Sequence, residues 1–248
     1  MKIQVYDSSS QLGKAAGAAS AGLIKNAIDK NGVANIILAT GTSQFETLNQ
    51  LIAEDGIDWG KIVMFHLDEY IGLPVTHPAS FRKYLLERVL SKVPPLKAAY
   101  LINGEDDAEL ECKRLGALIS QHPIDVALVG IGENGHLAFN DPPANFDTEE
   151  PYIIVELDEP CRKQQMGEGW FASLEEVPPR AISMSVKQIL KSAHIIGSVP
   201  DTRKALAVKN TVEQPVSNWY PASILQQHND CTLYLDKFSS ALLSDVNI

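Results

Sequence analysis

The chain has 248 residues, 45% of them hydrophobic, which is enough for one sizeable core, and no Gly/Ser-rich linker, charge block or repeat divides it. Twenty-one basic against 31 acidic side chains leave a net charge of −10, which argues against nucleic acid and anionic membranes as partners, since both need a basic footprint. The opening MKIQVYDSSS lacks a signal-peptide core, and no apolar run reaches membrane-span length. Three widely spaced cysteines, Cys112, Cys161 and Cys231, have the spacing of neither a disulfide framework nor a zinc site, so a cytoplasmic protein is expected.

In chain order, short apolar runs alternate with helical patterns. Strands are predicted at 2–6, 35–39, 62–65, 98–102, 126–129, 152–155, 181–184, 194–199 and 232–235. Between them, helical spacing covers 9–29, the stretch from "TGTSQ" through 52, 79–90, 106–121, 202–212 and 221–227. This repeated alternation predicts an α/β fold: a single Rossmann-like domain over 1–248, with a mostly parallel sheet and helices on both faces. Ligands of such sheets bind outside the carboxyl ends of the strands. Three polar clusters fall there: "TGTSQ", "HLDEY" and "GENGHLAFND".

The third cluster contains Gly130-Ile131-Gly132-Glu133-Asn134-Gly135, the G-x-G-x-x-G spelling of a dinucleotide-binding turn, with Glu156 about where a ribose-binding acid would sit. That fingerprint needs a helix to open at its last glycine. Asn140, Asp141, Pro142 and Pro143 follow within eight residues, and adjacent prolines do not enter a helix interior. No nicotinamide cofactor is therefore expected. The glycines are read as letting the backbone turn tightly and approach a ligand.

Thr40, Gly41, Thr42 and Ser43 lead into a helix whose first turn offers unpaired N–H groups, which suits a phosphate cradle. An ordinary capped helix with a glycine turn would read the same way. Asp68 and Glu69 end a strand, where partial burial could tune a carboxylate base; a solvated loop acid or helix cap fits equally simply. His66 alternates with Asp68 along a strand-like segment, but a structural role suits it better. His136 stands five residues before Asp141, and a histidine with a carboxylate partner can shuttle protons near neutral pH.

Taken together, "ATGTSQ", "FHLDEYIGLPVTHPASFRKYL", "GIGENGHLAFNDPP" and "DTRKALAVKNTVE", spread in order over 39–213, resemble the glucosamine-6-phosphate deaminase/isomerase family, which is related to the 6-phosphogluconolactonases. The "AFN" plus acid after the Gly-His pair separates the deaminase pattern from the lactonase one. The resemblance implies a hydrolase-type deaminase/isomerase that needs no metal or other cofactor. It would convert an amino-sugar phosphate, glucosamine 6-phosphate, into fructose 6-phosphate and ammonia. By the same resemblance, Gly41, Thr42 and Ser43 cradle the phosphate and Lys204 adds a charge to it. His136, supported by Asp141 with Asn134 beside it, opens the pyranose ring, and Asp68 moves the proton from C2 to C1. A small-molecule sugar phosphate is then the partner, and some members of the family are homo-oligomers.

The chain also departs from the family pattern. Asn134 stands where the family usually has Asp, and Asp141 where it has the longer Glu. The segment "CRKQQMGEGWFASLEEVPP" is expected to be a mobile lid with little to bury, and it lacks the phosphate-binding arginine; Arg162 or Lys163 could substitute. "NFDTEEPYII" is acidic where hexameric members carry basic allosteric residues, so allosteric activation is not expected. A lactonase-like or other sugar-phosphate isomerase, or a sugar-phosphate sensor that kept the pocket and lost turnover, are the competing readings.

Overall fold

The computed structural model describes residues 1–167 and 169–244. Seven strands, among the described residues, make one parallel sheet: β1 (Lys2–Tyr6), β2 (Ala34–Leu38), β3 (Ile62–His66), β5 (Ala98–Tyr100), β6 (Val126–Val129), β9 (His194–Val199) and β10 (Cys231–Asp236). Their order is β1-β10-β9-β6-β2-β3-β5. β4 (Asp68–Tyr70), β8 (Arg180–Met184) and β7 (Tyr152–Glu156) form a separate antiparallel sheet in that order. The sequence patterns predict strands for β7 and β8 but not this second sheet, and β4 is an addition.

β2, β3 and β6 are buried along their whole length, because helices cover both faces of the parallel sheet. Their side chains alternate between two cores. Ile36, Leu38 and Met64 join α1 (Ser9–Asn31) and α2 (Phe45–Ala53) on one side. Ile37, Phe65, Ala127 and Val129 join α4 (Ala108–Ile119), α6 (Val186–Leu190) and α7 (Ala205–Glu213) on the other. This period-two division is what the pleat dictates. The predicted 79–90 helix is α3 (Phe81–Leu85), capped by Ser80, followed by a π turn at Leu86–Leu90. Residues 221–227 form a 3-10 helix.

Close packing of α1 on α2 fixes the start of α2. A Cβ on Gly13 would overlap Glu46, and one on Gly17 would press on Gln50, so two glycines let the helices approach. Ser8 caps α1 by accepting from Gln11 N at 3.3 Å, and Gly32, at φ 74°, ends it.

The stretch expected to have little to bury departs from the reading. α5 (Glu159–Gly167) turns Cys161 and Gln165 inward, and Phe171 is buried after it. They pack in a third core with Tyr70, Phe81 and Phe139, where the Phe171 ring meets Tyr70 edge-on at 5.6 Å. The i, i+4 pair Cys161/Gln165 gives the helix a buried face that its high polarity conceals. Residue 168 of this stretch lies outside the described residues.

Candidate active site

The loops leaving β2, β3, β6 and β9 meet at the carboxyl ends of the strands around a cavity of about 730 Å³. β6 lies between β9 and β2, so the glycine turn stands between the loops of its two neighbours. Gly41, Thr42, Ser43, Asp68, His136 and Lys204 line this cavity, and Asn134 and Asp141 stand behind His136.

After β2, Gly41 takes φ 94°, a left-handed conformation that glycine adopts freely, and opens the 3-10 turn Thr42–Gln44 that runs into α2. The Tyr84 hydroxyl donates to the Gly41 carbonyl at 3.1 Å, and Gln44 Nε2 donates to the Ser198 carbonyl at 3.1 Å. The loop is thereby tied to α3 and β9. Across the cavity, a second 3-10 turn, Thr202–Lys204, carries the buried Lys204. A helix start with hydroxyls on one side and an ammonium on the other can hold an anion.

Asp68 and Glu69 have opposite fates. Glu69 is fully buried and accepts from the Ser80 hydroxyl (2.8 Å), Arg82 N (2.8 Å), Phe81 N (3.2 Å) and Tyr70 N (3.0 Å). It therefore caps α3 and is not a free base. Asp68 lines the cavity, and burial, then the charge of Glu69, pushes its carboxyl up to about 8. His66 faces the core instead: its Nε2 accepts from Ile102 N at 2.8 Å, and burial, then the Arg82 charge, lowers its pKa to about 3. The structural reading of His66 suits this place.

The glycines of the third cluster have a more specific use than a ligand's approach. A Cβ on Gly132 would collide with the His136 ring, and Gly135 takes φ 88° to turn the chain. No helix follows over 141–151. His136 Nδ1 lies 3.0 Å from Asp141 Oδ1, close enough for an ion pair although its N–H is off the line of a hydrogen bond. Asn134 joins the two: its Oδ1 accepts from His136 N at 3.1 Å, and its Nδ2 donates to Asp141 Oδ1 at 2.9 Å. Burial alone would raise the Asp141 pKa, but His136, Asn134 and the Asp158 N–H together hold it below the usual carboxylate value. The amide at 134 thus donates where an ionised carboxylate could only accept. Asn140 is structural, donating from Nδ2 to the Leu137 and Met184 carbonyls at 2.7 and 2.8 Å.

Neither proposed substitute for the lid arginine reaches the cavity. The Arg162 guanidinium donates to the Leu174 and Val177 carbonyls at 2.6 and 3.0 Å, and Lys163 pairs with Glu159 on the surface. Both are spent on local contacts within or just beyond α5. The cation that sequence reading missed is Arg203, which lines the cavity next to Lys204 and pairs with Asp201 at 3.1 Å and Glu133 at 3.4 Å. Its position at the exit of β9, beside a residue singled out for other reasons, was the available signal. Gln164 and Gln165 line the cavity from α5; Gln164 Oε1 accepts from Glu133 N at 2.8 Å, and Gln165 Oε1 from the Tyr70 hydroxyl at 2.8 Å.

Fold and cavity define a doubly wound α/β protein that collects an anion-binding helix start, a buried carboxyl and a His–Asp pair in one cleft. Residues 7–234 match the family of glucosamine-6-phosphate isomerases and 6-phosphogluconolactonase, and the chain belongs to that family. It is 37% identical over 214 residues to glucosamine-6-phosphate deaminase of Streptococcus pneumoniae serotype 4, covering 86% of this chain and 89% of that protein. The solved structure of a monomeric glucosamine-6-phosphate deaminase superposes with a TM-score of 0.88 at 31% identity, over 98% of this chain and 100% of that one. A 6-phosphogluconolactonase from Shewanella baltica has a TM-score of 0.78 over 95% and 97% of the two chains, but at 18% identity it shares the fold alone. The chain is thus an enzyme-family member. Among the described residues no helix is long and apolar enough to cross a membrane, and all three cysteines are free.

Proposed function

We propose that the chain, as one domain over 1–248, is a glucosamine-6-phosphate deaminase/isomerase. The observation that carries this reading is the convergence of the Gly41–Ser43 loop, Lys204, Asp68 and the His136–Asp141 pair on one cavity. The first two hold the phosphate. His136 takes the proton of the C1 hydroxyl and returns one to the ring oxygen, with Asp141 orienting the imidazole. Asp68 takes the proton from C2 of the open chain and delivers it to C1, while the carbonyl oxygen O1 takes up a proton from the substrate's 2-ammonium group, leaving a hydroxyl at C1 and an iminium at C2. Water adds there and ammonia leaves, so the reaction consumes one water and is in net terms a hydrolytic deamination. Each step is a proton transfer or addition next to a carbonyl or imine, and needs a base and a shuttle but no redox partner. A sugar phosphate is the partner that suits an acidic cytoplasmic enzyme of this charge, and nucleic acid does not.

The test is to incubate the purified protein with glucosamine 6-phosphate and with its C4 epimer and to assay ammonia and ketose phosphate. Equimolar appearance of both supports the reading and identifies the preferred epimer. Binding of either sugar without ammonia would make the chain a sensor, and hydrolysis of 6-phosphogluconolactone alone would make it a lactonase.

A further inference from the structure

One nucleophilic side chain close to this site has no part in the proposed reaction. Cys161, on α5, is buried and belongs to the core that backs the cavity. Its thiol shares a small volume with two groups from the glycine turn: ligand atoms of His136, Asp141 and Cys161 all lie within 4.8 Å of one another. A second feature marks the same point. His136 is 7% exposed, and its buried Nδ1 faces Asp141 Oδ1 at 3.0 Å, so a ring nitrogen and a carboxylate already meet beside the thiol.

We propose that His136, Asp141 and Cys161 form a capture site for a thiophilic divalent cation of the zinc type, and that its binding inhibits the enzyme. Imidazole, carboxylate and thiolate are the three ligand types of tetrahedral zinc, and sulfur together with nitrogen selects it over magnesium or calcium. Around such an ion, ligand atoms stand roughly 3.3–3.8 Å apart, given bonds of about 2.0–2.3 Å. The present spread of 4.8 Å or less therefore needs a contraction of about an ångström at its widest, within reach of a small shift of α5 toward the turn. The ion would enter from the cavity past the His136 ring, which lines it, with water as the fourth ligand. The spacing of cysteines along the chain carries no zinc signature; the site exists because the fold brings a residue at 161 back onto a turn at 134–141.

Capture is balanced by proton release. The thiol loses its proton to solvent, and Nδ1 must be unprotonated to bind, so any proton there leaves too. The consequence for turnover, which rests on the deaminase reading, is direct. With the ion holding both Nδ1 and the Asp141 carboxylate, the imidazole is fixed as a ligand and parted from its Asp141 partner, so it no longer shuttles the ring-opening proton. Asn134, which donates to Asp141 Oδ1, leaves that oxygen a further lone pair for the metal.

The experiment uses Co2+ as a spectroscopic probe and Zn2+ as an inhibitor, on full-length protein kept reduced and free of chelators. Wild type should show a near-ultraviolet thiolate-to-cobalt charge-transfer band. Cys161→Ala should lose it, with Cys161→Ser as the substitute where the alanine variant does not fold, and Cys112→Ala should keep it. Zn2+ should inhibit wild type, and the half-inhibitory concentration should rise at least tenfold in Cys161→Ala while turnover without metal stays within about twofold. Absence of the band in wild type, its survival in Cys161→Ala, or equal Zn2+ inhibition of both would overturn the proposal. A band that depends on Cys161, found in a protein without turnover on any amino-sugar phosphate, would sink the deaminase reading and leave the cation site standing.

Discussion

Asp68 is held where burial and the neighbouring Glu69 both favour its protonated form, with a pKa pushed up to about 8. As a base it must be ionised, so kcat/KM should climb as pH rises through a limb near 8 instead of near the ordinary carboxylate value. Stability should move the other way. Unfolded, Asp68 ionises near pH ~4, while the folded carboxyl keeps its proton to about 8, so in that window the native state binds more protons and loses stability as pH rises. Asp68→Asn should therefore raise the melting temperature, relative to wild type, more above pH 8 than at pH 4. A difference that stays constant between those limits contradicts the buried placement. Lys204→Ala should chiefly weaken substrate binding, by about 1.5–3 kcal/mol for a charged hydrogen bond to phosphate. An unchanged Michaelis constant with full turnover would remove Lys204 from the site. The residue types at 41–43, 68, 136, 141 and 204 are all visible in the sequence. The difference between Asp68 and Glu69 is not, because it depends on Ser80, Phe81 and Arg82 folding back to claim the second acid. Asn134 likewise reads as a lost charge in the sequence, and only the contact with Asp141 Oδ1 makes it a donor.

Among the elements, β2 and β6 are legible because burial on both faces writes them as unbroken apolar runs. β4 is not, since its three residues include two acids and its pairing is supplied by β8, with Asp68 opposite Ser183. α5 misleads for a related reason: the polar run Arg162, Lys163 and Gln164 hides the two side chains, Cys161 and Gln165, that are buried. The segment is thus better anchored than its composition suggests, yet it still lines the cavity through Gln164, bonded to Glu133 of the glycine turn, and Gln165, bonded to Tyr70 of β4. Opening of the segment as a lid would break both of these hydrogen bonds. Limited proteolysis should cut 161–171 ahead of the sheet, and glucosamine 6-phosphate should slow the cutting. Equal rates with and without the sugar phosphate would show that the segment is fixed scaffold.

Across the whole molecule, the sheet order explains how residues more than sixty positions apart in sequence serve one pocket. β6 runs between β2 and β9, so the His136 turn emerges between the Gly41 loop and the Lys204 turn, and the antiparallel sheet brings Asp68 in from the side. The parallel core was legible from periodicity alone; the second sheet, which presents Asp68 to the cavity, came from pairings that no local pattern encodes. The central claim is that this one cavity divides two proton transfers between two residues, His136 for ring opening and Asp68 for the carbon acid. It is tested most directly by following solvent deuterium into C1 of the product, with glucosamine 6-phosphate and an acyclic analogue side by side. His136→Gln should lose far more activity on the pyranose than on the analogue, and Asp68→Asn should fail on both. Wild-type exchange of the analogue's C2 proton by Asp68→Asn would contradict the account, because Glu69 is committed to α3 and the base would then have to be another group of the cavity.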